Sequence, residues 1–493
     1  MANMQYGFDL AAIGSLQAMT GFLKVFGYRD PSSDTGYAID STVQQLITSL
    51  LTLGSFVSSL VAGFFSAYLG RRHALWLACV VNAVAVGIQI GTTSAGVLYF
   101  GRLLLGFANG FLVTFSNIYT SEVAPAHLRG VMVALFAYWV NIGSILGSVV
   151  DNYTQTRLDR LSYRIPLACL YIVPTLLFVA LFFVPESPRW LLHRGDDKAA
   201  RTSLERLRGT GFLTVLSISG ANRGAEDRSS SSTAAMPSLL ELEWAEMVKG
   251  VEEEKREQGN VAAMDMFRGV DLRRTILCYC MIGCQTASGV WFLIGYQAYF
   301  FTICGITKPF QYSIMNTCFG FLGVNVGMYA IPSAIAATVS PNTLPTGRTL
   351  VAFTALFMFF YNGCVGAASY PVATELVSSR LRAWTIGTAT SLGYLLAWLV
   401  NFWHANNASH AFLSNNTNLA MAQGAQYGYI WAVSNFLCVI FFYFFMPEMK
   451  GRSLEELDEI FAARVPARKF RSYHCLIGET ARIEALNAKS DRD

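Results

Sequence analysis

Long apolar runs separated by short polar stretches set the pattern of this chain. Runs long enough to cross about 30 Å of hydrocarbon as helices occur at Met4 to Leu23, Thr42 to Tyr68, Ala74 to Thr92, Val97 to Tyr119, Val131 to Val150 and Ile165 to Val184. After a polar interval five more follow, at Ile276 to Cys304, Ser313 to Val339, Leu350 to Tyr370, Ala383 to Phe402 and Tyr427 to Phe445. The pattern predicts an all-α membrane protein with eleven readable spans in two groups. Arg71, Arg72, Arg129, Arg189 and Arg194 follow the second, fourth and sixth runs. Cytosolic loops keep Lys and Arg, so the amino end is expected in the cytosol. The expected divisions are an N-terminal transmembrane bundle over 1–190, a charged cytosolic linker over 191–272, a C-terminal bundle over 273–446 and a cytosolic tail over 447–493. Within the linker, Ser229 to Ser232 with Pro237 suggest a disordered piece and Glu252 to Glu257 a charged helix.

Composition agrees with this reading. Of 493 residues, 53% are hydrophobic and 14% charged, where soluble domains carry roughly 25% charged. A net charge of +4 without a basic stripe gives no reason to expect a nucleic-acid partner. The ten cysteines fall mostly inside apolar runs, and no histidine accompanies Cys278, Cys280 and Cys284. Packing as small apolar side chains is expected, with no metal site, cofactor or enzymatic activity. No secretory signal is evident.

An internal repeat links the two groups. Ser121-Glu122-Val123 with Leu128-Arg129-Gly130 recurs as Thr374-Glu375-Leu376 with Leu381-Arg382-Ala383, and Pro185-Glu186 recurs as Pro447-Glu448. Such echoes indicate two similar bundles related by an axis along the membrane normal, with a substrate path between them. Inside the spans, the ionisable residues away from the ends are Asp9 and Arg102. Charges in hydrocarbon are costly unless paired, so an opposite pair is a functional candidate by default. An acid held near an arginine can trade its proton as its surroundings change, the physical basis of proton symport. The alternative is a static ion pair joining two helices.

These residues resemble a known family. Gly7-Phe8-Asp9, Leu69-Gly70-Arg71-Arg72, Gly101-Arg102, Glu122 to Arg129, Pro185-Glu186-Ser187-Pro188-Arg189-Trp190, Gln285 with Ser288-Gly289, Glu375 to Arg382 and Pro447-Glu448-Met449-Lys450-Gly451-Arg452 look like the signatures of the sugar porter family of the major facilitator superfamily. Ile294-Gly295-Tyr296-Gln297 resembles its fungal members, including the α-glucoside type. The resemblance implies two six-helix bundles, twelve spans rather than eleven, and a proton-coupled transporter of a hexose, α-glucoside or oligosaccharide in the plasma membrane, working as a monomer by alternating access. A facilitative uniporter or a transport-inactive sugar sensor is the alternative. It also implies pairing of Asp9 with Arg102 for proton coupling.

Sugar binding needs amide and hydroxyl partners plus an aromatic face. The candidates are Gln285, Ser288, Asn316, Tyr370 and Tyr394, each with helix–helix hydrogen bonding as its alternative role. By resemblance, Gln285 matches the first of the family's paired glutamines and Tyr370 an aromatic of the tenth span. Thr286 stands in place of the second glutamine, Trp291 where asparagine is common, and Ala137 where the fifth span usually offers glutamine. A larger or different glycoside fits these departures at least as well as the usual hexose. Arg71, Arg72, Glu122, Arg129, Glu186, Arg189, Glu375, Arg382 and Glu448 sit at cytosolic helix ends, where opposite charges can latch one conformation and separate in another.

Three features depart from the family. Asp9 lies a few residues into a helix entering from the cytosol and Arg102 a few residues into one entering from outside, so the two meet only if the inner part of the first span is shortened. Family members normally carry a longer cytosolic amino end. The second half is also short by about one helix near Pro332, while a stretch near 403–426, rich in Asn and Ala, is additional. With eleven crossings the basic tail would face outward. The expectation is a sequence that has lost a start and an exon, with a product that transports poorly.

Overall fold

The computed structural model describes residues 2–31, 36–124, 129–208, 263–291, 308–326, 344–377, 381–413, 433–449 and 454–473, with isolated positions at 240, 244, 247–248, 251, 294 and 301. The first half begins with α1 (Ala2–Leu16) and α2 (Thr20–Phe26), then a two-residue antiparallel ladder of β1 (Tyr28–Arg29) and β2 (Tyr37–Ala38). α3 (Ser41–Leu69), α4 (Arg71–Gly91), α5 (Ala95–Val123), α6 (Arg129–Thr154), α7 (Leu161–Cys169), α8 (Ile172–Ala180) and α9 (Pro188–Arg194) follow. Four stretches are long and apolar enough to cross a membrane among the described residues: Thr42–Ala62, Arg71–Gly91, Ala95–Val123 and Leu161–Ala180.

Two expected helices are broken, each for a local reason. The run Met4 to Leu23 parts into α1 and α2, with Met19 extended at ψ 128°. There α2 turns aside and brings Gly21 against Ser162, while Phe22 and Phe26 pack on Tyr163 with ring centroids 5.7 and 5.9 Å apart. The sixth run parts into α7 and α8, where Pro174 has no N–H to give the carbonyl of Leu170. At the turn from α3 to α4, Gly70 takes φ 77°, a left-handed conformation that disfavours a side chain, and a Cβ there would lie 2.9 Å from Glu186 Oε2.

The interval read as a linker is partly folded. Ser187 caps α9 by accepting the Trp190 N–H, Pro188 opens the helix and Gly195 closes it at φ 86°. Residues 197–208 are again helical, and Leu192 and Ala200 form a small core with Val251, flanked by Trp244, Met247 and Val248. Ser229 to Ser232, Pro237 and Glu252 to Glu257 lie outside the described residues.

In the second half, α10 (Gly269–Ala287), α11 (Pro309–Val326) and α12 (Leu344–Tyr361) precede a π-helical turn at Asn362–Gly366 that runs without a break into α13 (Ala367–Leu376). α14 (Arg382–Leu413) extends past the expected Phe402, and α15 (Val433–Phe445) and α16 (Leu454–Ala462) complete the order. α5 ends at Glu122-Val123 as α13 ends at Glu375-Leu376, and α6 starts at Arg129 as α14 starts at Arg382. The repeat is visible in the packing too. α3 packs on α14, and its counterpart α11 packs on α6, the counterpart of α14. Ser391 Oγ donates to the Phe56 carbonyl at 3.3 Å across one contact, and Asn141 Nδ2 to Asn362 Oδ1 at 3.4 Å near the other. Where the first half has α4, the second has residues 327–343; Pro332 and the junction on which the expected loss of a helix turns lie outside the described residues.

A core cluster crosses from one half to the other, joining Tyr6, Leu51, Leu105 and Tyr163 to Phe310 and Tyr394. α3 and α5 approach closely at Gly106, where a Cβ would collide with the carbonyl of Leu51. Gly106→Leu is therefore expected to force these helices apart and cost about 3 kcal/mol, read as loss of the monodisperse peak in size-exclusion chromatography and a lower melting temperature.

Candidate functional site

Asp9 and Arg102 meet. Arg102 Nη1 donates to Asp9 Oδ1 at 2.9 Å, and both side chains are sealed, at 0% and 1% exposure. Two turns further along α5, Asn109 Nδ2 donates to Asp9 Oδ2 at 2.9 Å. Arg102 Nε donates to the Ile47 carbonyl of α3 at 3.2 Å, and Asn82 Nδ2 of α4 reaches Asn109 Oδ1 at 3.5 Å. One node thus ties α1, α3, α4 and α5. Arg102 Nη2 has no partner among the described residues. The helix offset explains how Asp9 reaches this depth. Ser116 Oγ donates to Asn3 Oδ1 at 2.8 Å, so the start of α1 stands level with Ser116, about 9 Å short of Glu122 along α5 at 1.5 Å per residue. Asp9 then falls beside the outer half of α5.

Sequence reasoning missed two of these contributors. Asn109 and Asn82 are amides on apolar helices, which alone do not reveal the face they occupy. Apart from the node, Asp151, one residue past the expected fifth run, belongs to the last turn of α6 and is 0% exposed. It is a second buried carboxyl of the first half.

The sugar-facing candidates divide. Tyr394 of α14 packs on Tyr6 of α1 and on Trp291, with centroids 6.2 and 6.3 Å away, and Tyr6 lies 6.4 Å from Trp291. This three-ring contact spans both halves, and Tyr6 stands one turn from Asp9 on α1. Tyr370 of α13 packs on Phe136 of α6 at 4.9 Å, again across the halves. Gln285 Nε2 donates to Ser369 Oγ, and Ser288 Oγ donates back to the Gln285 carbonyl at 2.6 Å. Asn316 is apart from them, fully buried with Nδ2 donating to Thr354 Oγ1 of α12 at 3.1 Å. That bond joins α11 to α12.

The cytosolic charges of the first half form a clamp within that half. Arg71 Nη2 lies 2.7 Å from Glu122 Oε1, and Ser187 Oγ donates to Glu122 Oε2 at 2.5 Å. Glu186 Oε1 accepts the backbone N–H groups of Arg71 and Arg72 at 3.0 and 3.2 Å, capping α4. Arg72 stacks over Trp76 at 4.6 Å. Arg189 is half-buried in α9, and Glu448 is exposed after α15. The side chains of Arg129, Glu375 and Arg382 lie outside the described residues, so the observed partners of Glu122 come from α4 and from Ser187.

Residues 1–334 and 317–461 match the family model described as Sugar (and other) transporter. The chain is 27% identical to the major facilitator-type transporter ecdD of Aspergillus rugulosus, over 92% of this chain and 84% of that protein. It is 28% identical to the maltose permease MAL61 of Saccharomyces cerevisiae, over 95% and 75%. Its fold matches the proton:xylose symporter XylE bound to 6-bromo-6-deoxy-D-glucose, with a TM-score of 0.67, 19% identity and coverage of 93% and 97%.

The node itself yields a prediction. Asn109→Ala leaves a buried carboxylate oxygen without its donor, which costs about 1–3 kcal/mol. Thermal unfolding of the purified protein checks this; an unchanged melting temperature would show that Asp9 does not depend on Asn109.

Proposed function

The chain belongs to the sugar (and other) transporter family, and from that premise we propose that it carries a sugar across a membrane by alternating access, taking up a proton on Asp9 as the sugar binds. The observation that carries this reading is the sealed Asp9–Arg102 pair, one helical turn from a ring cluster shared by both halves. A carboxylate in that position gains or loses its cation when α1 shifts against α5, and its proton affinity changes with it. Tyr6 couples the two events: a ligand that moves Trp291 or Tyr394 also moves the helix bearing Asp9. Alternating access then needs the α3–α14 and α6–α11 contacts to rock, with the Arg71–Glu122 clamp keeping the first half rigid.

The substrate is a hexose, or more fittingly a larger α-glucoside or oligosaccharide. Trp291, Tyr394 and Tyr6 offer apolar faces where a small hexose needs amides, while Gln285 and Ser369 supply a polar pair on one side. The protein works as a monomer in the plasma membrane, with no enzymatic step. Asn316 is engaged with Thr354, which supports a role in joining helices. A pair that never opens would serve only to join α1 to α5, and the protein would then be a facilitative uniporter.

Proteoliposome uptake of labelled maltose and glucose, with and without a pH gradient, separates the two. Symport predicts accumulation driven by the gradient, lost in Asp9→Asn while exchange persists; uptake indifferent to the gradient in the unmodified protein contradicts it. Trp291→Asn is expected to raise glucose uptake relative to maltose by about tenfold, measured as the ratio of initial rates. An unchanged ratio removes Trp291 from the selectivity argument.

A further inference from the structure

Away from the substrate path, the first turns of α10, the last turns of α15 and the short 3-10 helix Ala467–Ser472 enclose a groove of about 420 Å³. Leu272, Ile276, Phe441, Phe444 and Phe445 form its apolar walls, and Arg273 reaches into it. Ile276, Phe444 and Phe445 are half exposed, as expected for side chains that meet acyl chains. The arginines set this groove apart from an ordinary lipid-facing surface.

Arg273 Nη1 donates to the Val465 carbonyl at 2.7 Å, and its guanidinium lies 5.5 Å from the Phe461 ring and 5.8 Å from Phe470. Among the described residues it forms no ion pair, whereas its neighbour Arg274 is paired with Asp458. Arg468, exposed next to the groove-lining Ala467, lies over Tyr443 and Phe444 at 4.9 and 4.8 Å, again with no acid among the described residues. One guanidinium thus lines the groove and a second stands at its edge over Phe444, each against rings and, among the described residues, neither paired with an acid. Arg464 and Lys469 stand exposed beside them. Arg273 is half-buried and Arg468 exposed, so an anion between them would compensate the partial desolvation of Arg273, and the planar guanidinium fork matches phosphate oxygens.

We propose that this groove binds an anionic phospholipid of the cytosolic leaflet, with its phosphate between Arg273 and Arg468 and an acyl chain along Ile276, Phe441 and Phe445. The charge complementarity selects an anionic headgroup, and the apolar walls select a lipid over a soluble phosphate. The site bridges α10, α15 and the C-terminal segment, which is docked on α10 through Leu277, Leu457, Phe461 and Phe470. A lipid that contacts all three stabilises the docked arrangement by linkage. The proposal uses the basic tail to identify the cytosolic face and is independent of which sugar is carried or whether a proton accompanies it.

The test is native mass spectrometry of the full chain, delipidated and then exposed to mixed micelles of phosphatidylserine and phosphatidylcholine. Phosphatidylserine adducts are expected to exceed phosphatidylcholine adducts about tenfold. Arg273→Gln combined with Arg468→Gln should bring the ratio close to one, while Arg201→Gln, an exposed site in the first half, leaves it unchanged. Size-exclusion profiles report folding. If the double variant does not fold, Arg468→Gln alone carries the test, since among the described residues that side chain makes only ring contacts, and it should lower the ratio. Equal retention of the two lipids by the unmodified chain, or a preference that survives the substitutions, overturns the proposal. So do adducts that appear only after removal of residues 474–493, because the groove would then belong to the chain's own tail.

Discussion

A carboxylate and a guanidinium, both closed off from solvent, face each other at 2.9 Å between α1 and α5, and the arrangement of the first half follows from keeping them satisfied. Neither charge could be buried alone, since removing one partner of such a pair costs roughly 3–5 kcal/mol. Asn109 and the Ile47 carbonyl add to the coordination, which fixes the depth of α1 against α5 and brings α3 into register. Gly106 on Leu51 makes that register possible by letting α3 and α5 approach closely. The ring cluster of Tyr6, Trp291 and Tyr394 then relays the position of α1 to the second half.

The cytosolic end follows a different principle. There Glu122 and Glu186 join α4, α5 and the segment leading to α9 through charge-assisted hydrogen bonds. Among the described residues the contacts between the halves include a shared apolar core, ring pairs and single hydrogen bonds of 3.3–3.4 Å.

Much of this was legible in the sequence, for physical reasons. Hydrocarbon thickness sets span length, so each described helix from α1 to α8 lies within an expected run or at its ends. A charge is conspicuous in an apolar helix, so Asp9 and Arg102 stood out. An amide is not, so Asn109 and Asn82 did not. The α1–α2 break depends on Gly21 meeting Ser162, a contact between residues far apart in the chain, and no local pattern reports it. The helix over 197–208 hid because Ala200 and Leu204 are few and flanked by charges; burial against residues near 244–251 supplies the missing side of that core. Arg71, grouped with Glu122 among the charges at the cytosolic helix ends, is brought to it by the Gly70 turn, while the side chain of Arg129 lies outside the described residues. Asp151 did not stand out because the apolar run ended one residue before it.

The central claim is that Asp9 changes its protonation state during transport. Infrared difference spectroscopy on the purified protein, with sugar added at fixed pH, reads this directly through the carboxylic-acid C=O band. The account predicts a sugar-induced change in that band that disappears in Asp9→Asn. A spectrum without such a change, or a change that survives Asp9→Asn and disappears instead in Asp151→Asn, would contradict it.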